Sequence, residues 1–515
     1  KKVLKRKAID DMEDLQMKNT LIAVRKSILI LVVLLVWLPI GTAMAKDSVS
    51  IGMRLEPSPG LDPTTGAAAG ISQGTLYNIF EGLTRLDGGG GVLPLLAKSW
   101  TISDDGTTYT FSLESGVVYH NGAPFNSADV KAQFERNAAE DSSNKSKGLF
   151  SSIVSIATPD AHTVTVTLPS ANALFPFFLA QAPAAILDYE AYADANTNPV
   201  GTGPYQFVKW TKGDSVTLKK FDKYRNAGDV QIENVQFRFI SDAAAQVAAL
   251  KAGDLDYMPS LSAPEMFAEF QKDDRFTTLR GTTEGETILA MNNKNEVLSD
   301  VRVRRALMHA INRDDLIVGA VAGYGTPIGS HFAPHHPAYI DLTGQSSYDP
   351  DKARALLKEA GQENLTLSLD LPPPSYARRG GEVIAAMLAE VGVTINIENV
   401  EWAQWLDRAY KKKQYDLTIV SHVEPMDIGR IYSNPDYYFQ YDSQAFRDII
   451  HKFTIATTVD EQTTQLQAAQ RQLAEDMPNG FLFQLAKLGV AQAGLTGMWP
   501  SWPAFINDVA AMKWE

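Results

Sequence analysis

The stretch "NLTLSLDLPPPSYARRGGEVIAAMLAEVGVTINIENV", residues 364–400, decides the fold class. Its opening "LTLSLDL" at 365–371 alternates apolar and polar side chains, the period of a half-buried strand. A proline-rich loop, a helical segment and a second strand follow. Strand, loop, helix and strand in that order form a crossover between parallel strands, which predicts an α/β lobe whose loops at the strand ends face a ligand.

Reading outward, "YDLTIVSHVEP" at 415–425 supplies another strand that ends in a polar, acidic loop. "TTYTFSL" at 107–113, "HTVTVTL" at 162–168 and "VQFRFI" at 235–240 alternate in the same way, and helical pieces lie between them. The clearest helix runs from Asp351 to Ala360, with Asp349 as cap, Pro350 in the first turn and Gly361 as terminator. In "SDVRVRRALMHAINRDDL", Val303, Leu307, Ala310 and Ile311 recur at helical spacing. Arg302, Arg304 and Arg305 fall mostly elsewhere, where a solvated or salt-bridged face is expected.

The segment from Met17 to Asp47 reads as a cleavable secretion signal. Lys18, Arg25 and Lys26 make a positive start, Ser27 to Leu38 is apolar, and Ala43-Met44-Ala45 provides the small residues of a cleavage site. A membrane anchor needs about 20 apolar residues, and Pro39 and Gly41 interrupt this run too early. Cleavage is expected after Ala45. Residues 1–16 carry mixed charge without an apolar period and are left out of the fold.

The 515-residue chain has a formal charge of −13, and residues 1–45 contribute +4 of it, so the remainder carries −17. That balance argues against nucleic acid and against docking on anionic lipid. Cysteine is absent; a chain this long has enough core to do without disulfides. Lipid attachment through a cysteine after the cleavage site is also excluded, because Lys46 stands there. These features predict a freely diffusing periplasmic protein.

Several segments together resemble the periplasmic solute-binding proteins of the peptide/nickel/opine ABC import family. They are "YNIFEGLTRLDGGGGVLPLLAKSWTISDDGTTYTFSLESGVVYHNGAPFNSADVKAQFER", "GTGPYQFVKW", "ALKAGDLDYM", "LSDVRVRRALMHAINRDDLI" and "YDPDKARALLKEAG", in the expected order. The resemblance implies an α/β clamshell of two lobes with an additional α+β domain. The first lobe would combine 46–76, 199–282 and 489–515, the extra domain would be 77–198, and the second lobe 283–488. Ligand would sit between the lobes and be buried by hinge closure. The closed form of a monomer would then meet the permease subunits of the transporter, with no cofactor and no catalytic residue.

A charged solute buried between lobes must have its charges answered, since an unpaired charge in a dry cleft costs several kcal/mol. An amine calls for Asp or Glu and a carboxylate for Arg. In peptide-binding relatives the loop after the strand at 416–420 carries the acid that takes the ligand's amine. Here that loop is "SHVEPMDIGR", so Glu424 aligns best, Asp427 is near, and His422 replaces a common Trp. Arg378 and Arg379, at the start of the helix after "LPPPSY", are the carboxylate candidates, with Arg430 a weaker rival. Nine aromatic residues crowd 402–441; Trp402 matches a pocket-lining position in relatives, while most of the others belong to the core.

Three other readings compete. "GISQG" at 70–74 fits the pattern around a nucleophilic serine, Ser72, but that motif requires a preceding strand, and "TTGAAAG" does not read as one. His331, His335 and His336 in "SHFAPHHPAY", with His422, raise a nickel or metal-chelate reading, weakened by spacing that is not compact. An oligosaccharide would suit the aromatic residues, yet a neutral sugar needs no paired acid and Arg. A small zwitterionic or amine-bearing solute, such as a short peptide or an opine-like conjugate, fits the sequence best.

Overall fold

Strands Thr366–Leu371 and Thr394–Asn399 run parallel and are joined by helix Ser375–Ala389, the crossover that 364–400 predicts. The computed structural model describes residues 46–515 except 67, together with positions 12, 16 and 17. The apolar run Ser27–Leu38 and the cleavage site after Ala45 lie outside the described residues. Asp47–Glu515 is a compact unit of its own. Among the described residues no helix is long and apolar enough to cross a membrane.

One mixed sheet runs through this unit. Its order is Thr394–Asn399, Thr366–Leu371, Leu417–His422, Phe276–Met291, Asn479–Gln492, Tyr257–Met258, Ser48–Met53, Asn234–Phe239, Ser215–Lys220 and Tyr205–Thr211. The two long central strands, Phe276–Met291 and Asn479–Gln492, pair antiparallel and carry the chain from one end of the sheet to the other. Ile288 and Ala290 pack with Val420 and Phe481 on one face, while Leu289 and Met291 pack with Leu369 and Leu417 on the opposite face. The strand end "TILAM" is therefore apolar on both sides, as burial of both sheet faces requires.

Midway along, the register breaks: Thr282 pairs with Ala486, but Glu286 pairs with Gln484. Residues 283–285 bulge out, which re-aims the side chain of Glu284. Just before the bulge the segment 500–502 crosses close to the strand, with Trp502 N donating to Thr282 O over 2.8 Å. A Cβ on Gly281 would lie 2.0 Å from Pro500 O, so only glycine admits the crossing. Directly opposite Gly281 is Lys487, fully buried, whose ammonium donates to Tyr257 Oη and to the Trp499 carbonyl.

A separate antiparallel sheet, in the order Ala97–Ile102, Thr108–Leu113, Thr163–Thr167 and Ser155–Asp160, packs with helix Ser127–Ala138 around its own core of Tyr109, Phe111, Phe134 and Val164. Arg225, from outside this segment, makes two 2.8 Å bonds to the buried Glu81 carboxylate.

Helix Pro350–Glu359 begins where its cap predicts, with Lys352 N donating to Asp349 over 2.9 Å. Helix Val301–His309 differs from expectation at one residue. Arg304 is buried, not on a solvated face, and donates to the carbonyls of Leu298, Ser299, Asp476 and Met477. Its fork of donors ends a helix and a loop at once, which a point charge could not do.

Candidate ligand-binding site

Strand Leu417–His422 delivers the loop 423–427 to one side of a cavity of about 230 Å³. Glu424 and Pro425 line it from this loop, Glu284 from the bulge, Ser72 and Leu76 from the chain after the first strand, and Trp502 and Phe505 from the segment near the C-terminus. Lys145 and Gln181 complete the wall. A second cavity of about 290 Å³ shares Glu424 and Pro425 and continues past Met426 to Phe453.

The two cavity carboxylates are held differently. Glu284 is nearly buried, with Oε1 2.7 Å from His335 Nε2, and His335 Nδ1 lies 2.6 Å from Thr282 Oγ1. Glu424 is largely exposed and accepts from Arg430 over 2.9 Å. Both residues line the same space, and carboxylates are the groups that answer an ammonium.

Asp427 has another task. It is buried and lies 2.9 Å from His331 Nε2, while His331 Nδ1 is 2.6 Å from Glu286 Oε1. His422 approaches Asp427 at 3.7 Å and accepts or donates at Tyr438 Oη over 3.0 Å; Arg430 reaches Asp427 at 3.4 Å. Strand pairing sets Glu286 directly opposite His422, so sheet register assembles the cluster. The His331 contacts are close but poorly aligned as hydrogen bonds, leaving charge as the main attraction.

Burial works against a charge on His331, yet the Glu286 and Asp427 carboxylates outweigh it and hold its pKa up at about 10. Burial lifts Glu286 to about 7, opposed in part by His331. Burial also opposes ionisation of Asp427, but the adjacent His331 and His422 outweigh it and hold Asp427 well below the ordinary carboxylate range. The arrangement is an imidazolium with Asp427 as counter-ion. It pins the end of the loop 423–427 to the strand Phe276–Met291.

Of the sequence-derived candidates, Glu424, Asp427 and His422 come together here, but only Glu424 borders the 230 Å³ cavity. Asp427 lines the neighbouring 290 Å³ cavity and is occupied by histidines. Arg378 reaches Glu401 at 3.2 Å and Arg379 is exposed; neither borders either cavity. Trp402 is 41% exposed and packs edge-on against Trp405, away from both spaces. Arg378 is instead engaged by Glu401, and Trp402 follows Glu401 in the chain, both just after the edge strand Thr394–Asn399. Trp405, Tyr415, Tyr432, Tyr438, Phe439 and Tyr441 are core.

Sequence reasoning missed Glu284, Lys145, Gln181, Trp502 and Phe505. For Glu284 the signal was present in "GTTEGET", where two glycines mark a disrupted strand. Ser72 lies in helix Ala69–Thr75, and its hydroxyl donates to Ala69 O over 3.1 Å. The preceding strand ends at Met53, so the strand–turn–helix setting of a nucleophilic serine is not met. His336 stacks on Phe332 with ring centroids 4.0 Å apart, and His335 is engaged with Glu284, so the three histidines of 331–336 point to separate partners.

The chain is 32% identical over 340 residues to the glutathione-binding protein GsiB of Salmonella typhimurium, covering 65% of this chain and 66% of that protein. It is 34% identical over 352 residues to the dipeptide-binding protein of Escherichia coli, covering 62% and 65% of the two chains. The chain thus spans about two thirds of the length of these curated relatives. The solved structure of the protein AgaA from A. tumefaciens in complex with agropinic acid superposes with a TM-score of 0.71 at 26% identity, over 91% of this chain and 99% of that one. The sequence profile of bacterial extracellular solute-binding proteins, family 5 Middle, matches residues 91–448, most of the chain, and the chain belongs to that family.

Proposed function

We propose that this protein is the periplasmic receptor of an ABC importer and captures a short peptide or related amine-bearing solute between two lobes, delivering it to the permease as a monomer. The observation that carries this reading is that Glu284 and Glu424 both line one cavity, two acidic residues where an ammonium would find its partners. With lobe boundaries at 76, 198, 282 and 488, that cavity receives residues from both lobes and from the extra domain. The bulge at 283–285 lies where the long strands pass between lobes, the place for a hinge.

The names of relatives support the solute class: a glutathione-binding and a dipeptide-binding protein, and a structure holding agropinic acid. A neutral sugar gives two carboxylates on one cavity nothing to neutralise. The role requires no reaction, and closure around the ligand is the functional event. The importer's permease would read that closed form.

Native mass spectrometry of the freshly purified protein, followed by denaturation and identification of what is released, tests the reading. A released peptide or amine-bearing conjugate supports it. A released sugar or metal chelate replaces the solute class. For protein purified empty, thermal-shift measurement with glutathione and dipeptides applies the same test, because a ligand that binds only the folded state raises the midpoint by mass action.

A further inference from the structure

The walls of the 230 Å³ cavity are chemically unequal. From the 283–488 segment, each carboxylate already has a partner: His335 for Glu284 at 2.7 Å and Arg430 for Glu424 at 2.9 Å. The 77–198 segment adds two donors to the same lining, Lys145 and Gln181. The Lys145 ammonium is exposed and forms no ion pair with any described residue. The Gln181 Nε2 is buried, with no acceptor among the described residues. Trp502, Phe505 and Ile506 also line the cavity and offer area without charge.

A buried amide donor without an acceptor is a standing cost to the empty protein, relieved when a ligand oxygen arrives. A neighbouring ammonium makes that oxygen preferentially anionic. We propose that Lys145 and Gln181 form the subsite for the ligand's carboxylate, so that the ligand lies with its amine toward Glu284 and Glu424 and its carboxylate toward the extra domain. This rests on the amine-bearing-solute reading and deepens it: anion recognition passes from Arg378 and Arg379, which border neither cavity, to a different domain. A zwitterion then bridges the two walls, and a ligand lacking either charge holds only one.

The test is a fluorescence titration, read on intrinsic tryptophan, of wild type and the variants Lys145→Met, Gln181→Leu and their combination, with the dipeptide Ala-Phe and with Ala-Phe amide. Wild type is expected to bind Ala-Phe about tenfold more tightly than the amide. The double variant is expected to bind the two alike, with Ala-Phe weakened and the amide unchanged; Lys145→Met, at an exposed position, gives the same trend should the double variant fold poorly. Discrimination in the variants equal to wild type overturns the subsite while leaving the receptor reading standing. A wild type that binds neither Ala-Phe nor glutathione overturns the receptor reading and the subsite with it.

Discussion

His331 Nε2 lies 2.9 Å from Asp427 Oδ1, both buried, and this contact makes Asp427, the second acid of the loop after strand Leu417–His422, a structural counter-ion. Removing one partner of a buried ion pair leaves the other charge unanswered and costs about 3–5 kcal/mol. Asp427→Asn and His331→Gln are each expected to lower stability by that order, measured as a shift of the urea midpoint at unchanged slope. A midpoint within experimental scatter of wild type in both variants would show that the contact is not maintained in solution.

Binding should divide between the acids differently. Glu284→Gln removes a nearly buried, His335-held carboxylate from the cavity and is expected to weaken amine-bearing ligands by about tenfold or more. Glu424→Gln removes a largely exposed one, where solvent screens the charge, and about two- to fivefold is expected. Calorimetric titration checks the order; a larger loss at Glu424 than at Glu284 contradicts it.

Stability against pH offers a sharper comparison. His331 has its pKa raised to about 10, so its stabilisation is complete below the unfolded value of about 6.5 and is lost as the pH climbs toward 10. Lys487 has its pKa lowered to about 7 by burial, so between 7 and the unfolded value of about 10.4 the unfolded chain binds the extra proton and stability rises. The two oppose each other in one window. From pH 7 to 10, denaturant unfolding should show His331→Gln gaining stability and Lys487→Met losing it relative to the flatter wild type. Parallel curves for all three proteins would contradict these charge states.

The bond between Arg225 and Glu81 joins the start of the 77–198 segment to the chain that follows it. Both Glu81 oxygens are engaged, one of them also by Thr202 Oγ1 at 2.9 Å. Arg225→Met strands a buried carboxylate and is expected to cost about 3–5 kcal/mol, whereas Glu81→Gln combined with Arg225→Met should recover part of that loss. Urea unfolding of the single and double variants checks this; a double variant less stable than the Arg225 single removes charge burial as the cause.

Much of the fold was legible because period and punctuation are local. Strands Thr108–Leu113, Thr163–Thr167, Asn234–Phe239 and Thr366–Leu371 fall where alternation puts them, and Asp349 caps the helix it precedes. The site was legible only in part. Glu424 could be reached by counting from a strand, but Glu284 depends on a register break between strands distant in sequence. The His331 cluster unites residues 286, 331, 422 and 427 through pairing of non-adjacent segments, and no spacing rule encodes that meeting. Arg304 shows the same limit from inside a helix: two of its four carbonyl partners, those of Asp476 and Met477, lie more than 170 residues away in sequence, so its burial is a property of packing and not of helical phase.

The most direct test of the central claim is calorimetric titration of the wild-type protein with Ala-Phe and with N-acetyl-Ala-Phe, which differ only in the amine. If Glu284 and Glu424 exist to receive an ammonium, Ala-Phe binds at one site per chain and acetylation weakens it about 100-fold or more. Equal affinity for the two, or binding of a neutral oligosaccharide in place of both, would contradict it.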